Sequence, residues 1–242
     1  MGDPHMQFRG SQRPSQGRIC VPIDQDPVGL FCQDDLLNPR QHSSSLFREG
    51  ITQGVDLVGD VMVDALKESL ALSGRVSHVV ETLGLEPHRY ALLTIHRAAN
   101  TDDPRRLEAI LSAVGQVDQT VVFPVHPRTQ HVIEQQAFTL PANVRAIDPV
   151  GYLEMLQLEN LADCILTDSG GVQKEAYVLG VRCITLREET EWVETVAQGW
   201  NRLVGADPQA IVSAVRDWFP QGERPMVYGD GQAAEKVAAR LA

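Results

Sequence analysis

Short apolar runs recur along the chain from residue 55 onward, at Val55–Val58, Tyr90–Ile95, Thr120–Val125, Val144–Ile147, Cys164–Thr167, Arg182–Leu186 and Arg202–Val204. They are rich in Val, Ile and Leu and continuous rather than alternating, the pattern of strands buried on both faces. Between most of them, apolar positions recur at helical period. Pro104 to Val114 is the clearest: Asp103 can cap, Pro104 suits the first helical position, and Leu107, Ile110, Leu111 and Val114 share one face. Val172–Leu179, Glu191–Gln198, Pro208–Trp218 and Gly231–Leu241 follow the same logic, and Gly180 ends the first of these as a left-handed cap would. Strands alternating with helices predict an α/β fold, a parallel sheet with helices on both faces. Ligands of such sheets lie outside the carboxyl ends of the strands, so the residues just after each run are the ones to read for chemistry.

Ahead of this regular text the chain changes character. Residues 7–45 carry Gly10, Pro14, Gly17, Pro22, Pro27, Gly29 and Pro39 among many Ser and Gln, with little periodicity. The expected division is an irregular N-terminal segment, 1–54, and one folded domain, 55–242. Met1–His5, followed by a second methionine at Met6, reads as a cloning remnant and carries no fold information. The balance of 21 Lys and Arg against 32 Asp and Glu gives a net charge of −11, which lacks the basic footprint of a nucleic-acid binder. Hydrophobic residues make up 43%, which excludes whole-chain disorder. No apolar run approaches the roughly 20 residues of a membrane-spanning helix. The four cysteines, Cys20, Cys32, Cys164 and Cys183, form no C-x-x-C pair, so no zinc knuckle or redox motif is expected. Cys164 and Cys183 sit in apolar runs, as buried free thiols do. With no signal-peptide pattern at the start, a cytoplasmic setting is expected.

The candidate chemistry follows the strands. His96 and Arg97 come after the second run; both can contact phosphate, and His96 can transfer a proton near neutral pH. His126, Pro127 and Arg128 repeat the pattern after the third run, and two such pairs at neighbouring strand ends would converge on one crevice. After the run Cys164–Thr167 comes Asp168-Ser169-Gly170-Gly171 and a helix. Free N–H groups and the helix dipole favour an anion there, and the two glycines let a diphosphate approach the backbone. Glu175, one turn further on, can accept hydrogen bonds from a ribose. The plain alternative is a tight turn capped by Asp168 or Ser169. After Arg182–Leu186, Arg187 is a phosphate or inter-loop candidate, while Glu188, Glu189, Glu191 and Glu194 read as a solvated helix start.

At these motifs the sequence resembles the non-hydrolysing UDP-N-acetylglucosamine 2-epimerase family. The resemblance runs through Leu92–Arg97, Val122–Arg128, Thr167–Gly171 with Gln173, Glu175 and Ala176, and Leu186-Arg187 through Thr190-Glu191. It continues at Asn201, Leu203–Gly205 and Tyr228–Gly231, and reaches back to Arg48–Ile51 and Val58–Leu66, covering roughly 43–242. It implies one Rossmann-like, UDP-binding lobe (55–242) of a two-lobe, glycosyltransferase-like fold, with the first lobe largely missing. It also implies the activity: removal of the C2 proton, expulsion of UDP to give a 2-acetamidoglucal, and re-addition to yield the manno epimer, without NAD or metal. By resemblance, Ser169, Gly170, Gly171 and His96 hold the diphosphate, His96 also lying near the reacting sugar as the catalytic residue of this lobe. Glu175 takes the ribose, and Val150 and Met155 the uracil. Arg97, His126, Arg128 and Arg187 are further candidates.

The chain departs from the family pattern at Met155, where an aromatic is common. Ala99 stands in place of a frequent Glu, Trp192 in place of a frequent Arg, and Val193 in place of a frequent Pro. Asp24, Asp26, Asp34 and Asp35 match no family motif, so no catalytic base is assigned. The expected partners are UDP-GlcNAc or UDP, and another copy of the chain or a separate first lobe. The alternatives are an inactive UDP-binding remnant and a piece of a glycosyltransferase.

Overall fold

In the computed structural model the described residues are 20–22, 30–32 and 56–241. The first two groups form a small antiparallel ribbon, β1 (Cys20–Pro22) against β2 (Leu30–Cys32), within the stretch read as irregular. Asp24, Asp26, Asp34 and Asp35 lie outside the described residues, as does Val55.

The main body is a six-stranded, all-parallel sheet: β3 (Tyr90–Thr94), β4 (Thr120–Pro124), β5 (Val144–Ile147), β6 (Cys164–Thr167), β7 (Arg182–Thr185) and β8 (Asn201–Leu203). Their spatial order is β5-β4-β3-β6-β7-β8. The chain therefore builds outward from β3 in one direction, returns, and builds outward in the other. The reversal puts a topological switch point between β3 and β6, the place where ligands of open α/β sheets bind.

Both faces of the central strands β3, β4, β6 and β7 are buried, as the continuous apolar runs predict, while Arg145 and Ala146 of β5 and Arg202 of β8 are exposed at the sheet's two edges. Ala91, Leu93, Val121, Phe123, Leu166 and Ile184 point to one face, against Leu107, Ile110, Ile211 and Ala214 of helices α4 (Pro104–Val114) and α9 (Pro208–Asp217). Tyr90, Leu92, Val122, Ile165 and Cys183 point to the other. There they meet Val80 of α2 (Val79–Thr82), Leu158 of α6 (Tyr152–Asn160) and Ala176 of α7 (Gly170–Leu179). Each such fully buried aliphatic side chain contributes about 1.5–3 kcal/mol. Arg182, at the start of β7, ties the sheet to α9: its guanidinium donates to the carbonyls of Ala214, Val215 and Trp218 at the end of α9 and pairs with Asp163 at 2.5 Å. Cys164 and Cys183 are buried free thiols, and burial pushes both up to about 12.

Helix termini follow the sequence signals. Asp103 accepts from the Arg105 N–H, Asp207 from the Gln209 and Ala210 N–H groups, and Gly180 closes α7 at φ 77°. The run at Val55–Val58 is corrected: its described part, Asp56–Val58, has no strand partner. It leads instead into α1 (Val61–Val76), whose N-cap Asp60 donates its backbone N–H to Tyr228 O at 2.9 Å. Gly59 and Gly229 lie so close that a Cβ on Gly229 would stand 2.8 Å from Gly59 Cα, and both take positive φ, which only glycine does freely. Helices α3 (Ala98–Thr101), α5 (Pro127–Gln135), α8 (Val193–Ala197) and α10 (Ala233–Leu241) complete the body. Among the described residues no helix is long and apolar enough to cross a membrane.

Candidate nucleotide-binding site

The switch point is held together by one buried carboxylate. Asp168, fully buried at the end of β6, accepts from the backbone N–H of His96 (3.1 and 3.2 Å), the backbone N–H of Arg97 (3.0 Å) and the Asn100 amide (3.1 Å). Asn100 also donates to Leu186 O at 3.0 Å, which joins the loop after β7 to the same cluster. Beneath them the hydroxyls of Thr94 and Thr167 meet at 2.6 Å across the two strands. Asp168 is thus no helix cap. That place belongs to Ser169, whose Oγ accepts from the Val172 N–H at 3.5 Å. The N–H groups of Gly170 and Gly171, in the first turn of α7, have no intrahelical acceptor and face the crevice end of the sheet.

His96 and Arg97 stand on the other side of the switch point. His96 Nδ1 lies 3.4 Å from Asp168 Oδ1, which favours the proton on Nδ1 and leaves Nε2 as an outward acceptor. Burial lowers its pKa; Asp168 opposes that, while His126, Arg97 and Arg128 add to it, so the ring is neutral near pH 7. Arg97 Nη2 comes within 3.7 Å of the point where a Cβ on Gly170 would stand. The structure therefore brings Ser169, Gly170, Gly171, His96 and Arg97 together. His126 joins them, its ring centroid 5.6 Å from that of His96. Arg128 is turned to Asp102, which it pairs at 2.5 Å.

Glu175, on the next turn of α7, accepts from the Tyr152 hydroxyl at 3.1 Å. It borders a cavity of about 70 Å³ shared with Met62, Leu66, Tyr152 and Lys174. Its pKa is raised by burial, against the opposing pull of the Tyr152 bond and Lys174. Behind it, Glu159 is 1% exposed with both carboxyl oxygens unpartnered among the described residues. Burial and then the Glu175 charge raise its pKa well above the ordinary carboxylate range. Val150 and Met155, half-buried, pack against one apolar cluster beside β5 and α6.

The acidic stretch after β7 is not a uniformly solvated helix start. Glu188 pairs with Arg106 at 2.8 Å, Glu191 with Arg187, and Glu194 is buried beside Tyr228; only Glu189 stays exposed without such a role. The helix itself begins later, at Val193. Trp192 packs edge-on to Tyr228 and under the Lys174 ammonium, 4.5 Å from its ring. Lys174, in turn, is buried and paired with Asp60, so the start of α1 is tied to the site helix. Sequence reasoning missed the roles of Asp168, Asn100, Tyr152 and Lys174, because each acts through a partner more than twenty residues away. Among the described residues no three His, Cys, Asp or Glu side chains cluster as a metal site would require.

A sequence model of the UDP-N-acetylglucosamine 2-epimerase family matches residues 33–242. The chain belongs to that family. It is 44% identical over 203 residues to a UDP-N-acetylglucosamine 2-epimerase homolog of Methanococcus maripaludis, covering 81% of this chain and 57% of the relative. It is 43% identical over 190 residues to the UDP-2,3-diacetamido-2,3-dideoxy-D-glucuronate 2-epimerase of Pseudomonas aeruginosa, covering 76% and 52%. The crystal structure of the Methanocaldococcus jannaschii UDP-GlcNAc 2-epimerase, in complex with UDP-GlcNAc and UDP, superposes with a TM-score of 0.75 at 34% identity, over 86% of this chain and 60% of that one. The Neisseria meningitidis UDP-GlcNAc 2-epimerase bound to UDP-GlcNAc gives 0.74 at 26% identity, over 86% and 61%. This epimerase-family chain spans just over half the length of the curated relatives it matches, and the match begins ten residues earlier than the motifs alone indicate.

Proposed function

We propose that this chain is the nucleotide-binding lobe of a UDP-N-acetylglucosamine 2-epimerase. It binds UDP and the UDP moiety of UDP-GlcNAc, and the C2 proton transfer requires carboxylates that a first lobe supplies. The observation that carries the reading is the Ser169-Gly170-Gly171 helix start at the β3/β6 switch point, with His96 and Arg97 facing it across Asp168. In this reading the free N–H groups and Arg97 receive the diphosphate. Neutral His96, aimed by Asp168, stands at the phosphate–sugar junction, where Nε2 can exchange a proton with the departing UDP. Glu175 takes the ribose hydroxyls, and Val150 and Met155 flank the uracil. The two structural relatives that carry UDP-GlcNAc support this assignment.

A second reading is a UDP-binding lobe without catalysis. Both readings require UDP at the same turn. Calorimetry on the wild-type chain and Gly170→Val tests this. A Cβ at Gly170 stands 3.4 Å from Trp192 Nε1 and 3.5 Å from Glu191 Oε2, and the valine methyls fill the approach to the N–H groups. Measurable UDP binding, abolished by Gly170→Val, is expected. Equal affinity in a variant of intact fold places the nucleotide elsewhere.

A further inference from the structure

The positive end of α7 already holds an anion from within the chain. Arg187 donates from Nη1 to Glu191 Oε2 at 2.9 Å and from Nη2 to Glu191 Oε1 at 2.7 Å. That carboxylate stands over the helix start: Glu191 Oε2 lies 3.5 Å from the Cβ point of Gly170, and Arg97 Nη2 lies 3.7 Å from the same point. The carboxylate thus takes its hydrogen bonds from Arg187 and stands beside a second guanidinium and the helix N-terminus. A third donor waits beside them. Trp192 Nε1, 3.4 Å from that point, is buried and has no acceptor among the described residues.

We propose that Glu191 is a resident stand-in for a phosphate, and that a bound diphosphate displaces its carboxylate, taking over Arg187 and the Trp192 N–H. The proposal rests on the UDP-binding reading above. The charge arithmetic favours the exchange. Glu191 accepts hydrogen bonds from Arg187 alone, whereas a diphosphate brings at least two charges and enough oxygens to accept from both arginines, the indole and the helix end together. Glu191 is also placed to leave: its side chain is 39% exposed against 15% for Arg187. It sits in the loop between β7 and the five-residue helix α8, so it can swing to solvent while Arg187 stays. A buried indole N–H without an acceptor is a standing cost that a phosphate oxygen relieves.

The sign of one substitution separates this from a supporting role. If Glu191 merely holds Arg187 in place, removing it weakens phosphate binding; if it competes for the site, removing it strengthens binding. Wild type, Glu191→Gln, Glu191→Ala and Trp192→Phe are titrated with UDP and with inorganic pyrophosphate by calorimetry, with circular dichroism to confirm the fold. Both Glu191 variants are expected to bind both ligands tighter by roughly two- to fivefold, the worth of a half-exposed ion pair that no longer has to break. Trp192→Phe keeps the ring beside Lys174 but lacks the N–H, and is expected to bind both about fivefold more weakly. Unchanged or weaker binding by the Glu191 variants, with UDP binding intact in wild type, overturns the proposal and leaves the UDP reading standing. No binding by wild type or the Glu191 variants overturns both.

Discussion

Asp168 carries more of the site than any residue that faces the ligand. Its carboxylate accepts three N–H groups from the loop after β3, so it fixes where His96 and Arg97 stand. Asp168→Ala leaves those donors unpaired in the interior, and a loss of roughly 2–4 kcal/mol in urea denaturation is expected, with Asp168→Asn losing less. Glu175 has the opposite character: it is held by a single Tyr152 hydroxyl and lines the cavity. Glu175→Ala is expected to weaken UDP by roughly 1.5–3 kcal/mol while leaving inorganic pyrophosphate, which has no ribose, nearly unaffected. Equal losses for both ligands would contradict the ribose assignment.

At the level of elements, the β6–turn–α7 unit joins a fully buried strand to a helix whose N-terminus is open, and α6 packs behind it. Glu159 of α6 is the misfit there, buried with unpartnered oxygens. Its folded pKa is raised, so the native state keeps a proton that the unfolded chain releases. Stability from this group is therefore fullest below the ordinary carboxylate range and is lost as pH rises towards the folded pKa. Glu159→Gln removes the titration. Thermal melts are expected to show the variant more stable than wild type near pH 8, by roughly 1–3 kcal/mol, with the gap closing near pH 4.5. A gap that does not change with pH would mean that Glu159 has the same pKa in the folded and the unfolded chain.

On the scale of the whole molecule, the chain spans 57% and 52% of the length of two of its relatives. Leu57, Leu72, Val76, Val193 and Met226 are large apolar side chains left exposed. In the proposed reading, proton removal at C2 falls to carboxylates of a first lobe, which the described residues do not include. Little or no deuterium incorporation at C2 of UDP-GlcNAc in heavy water is expected from the purified chain. Exchange at an enzymatic rate would mean that residues 7–54, or a second copy, supply the base.

Sequence alone determined what depends on local chemistry and on composition. Continuous apolar runs specified buried parallel strands, Asp103-Pro104 and Gly180 marked helix ends, and Ser169-Gly170-Gly171 marked an open helix start, because caps, positive φ and two-faced burial are written in neighbouring residues. Helix α1 escaped, since its apolar positions, with Leu72 and Val76 exposed, form no single stripe. Helix α5 escaped because only Thr129 of its nine residues is buried. Tertiary structure alone decided the strand order, and with it which loops share a crevice. It decided that Asp168 reaches across to His96 rather than capping α7, that Glu191 rather than solvent meets Arg187, and that Glu194 is buried. Those outcomes are pairings between strands and loops distant in sequence, and a carboxylate's partner is set by which donors the packed sheet brings within 3 Å or so of it, which no local pattern records.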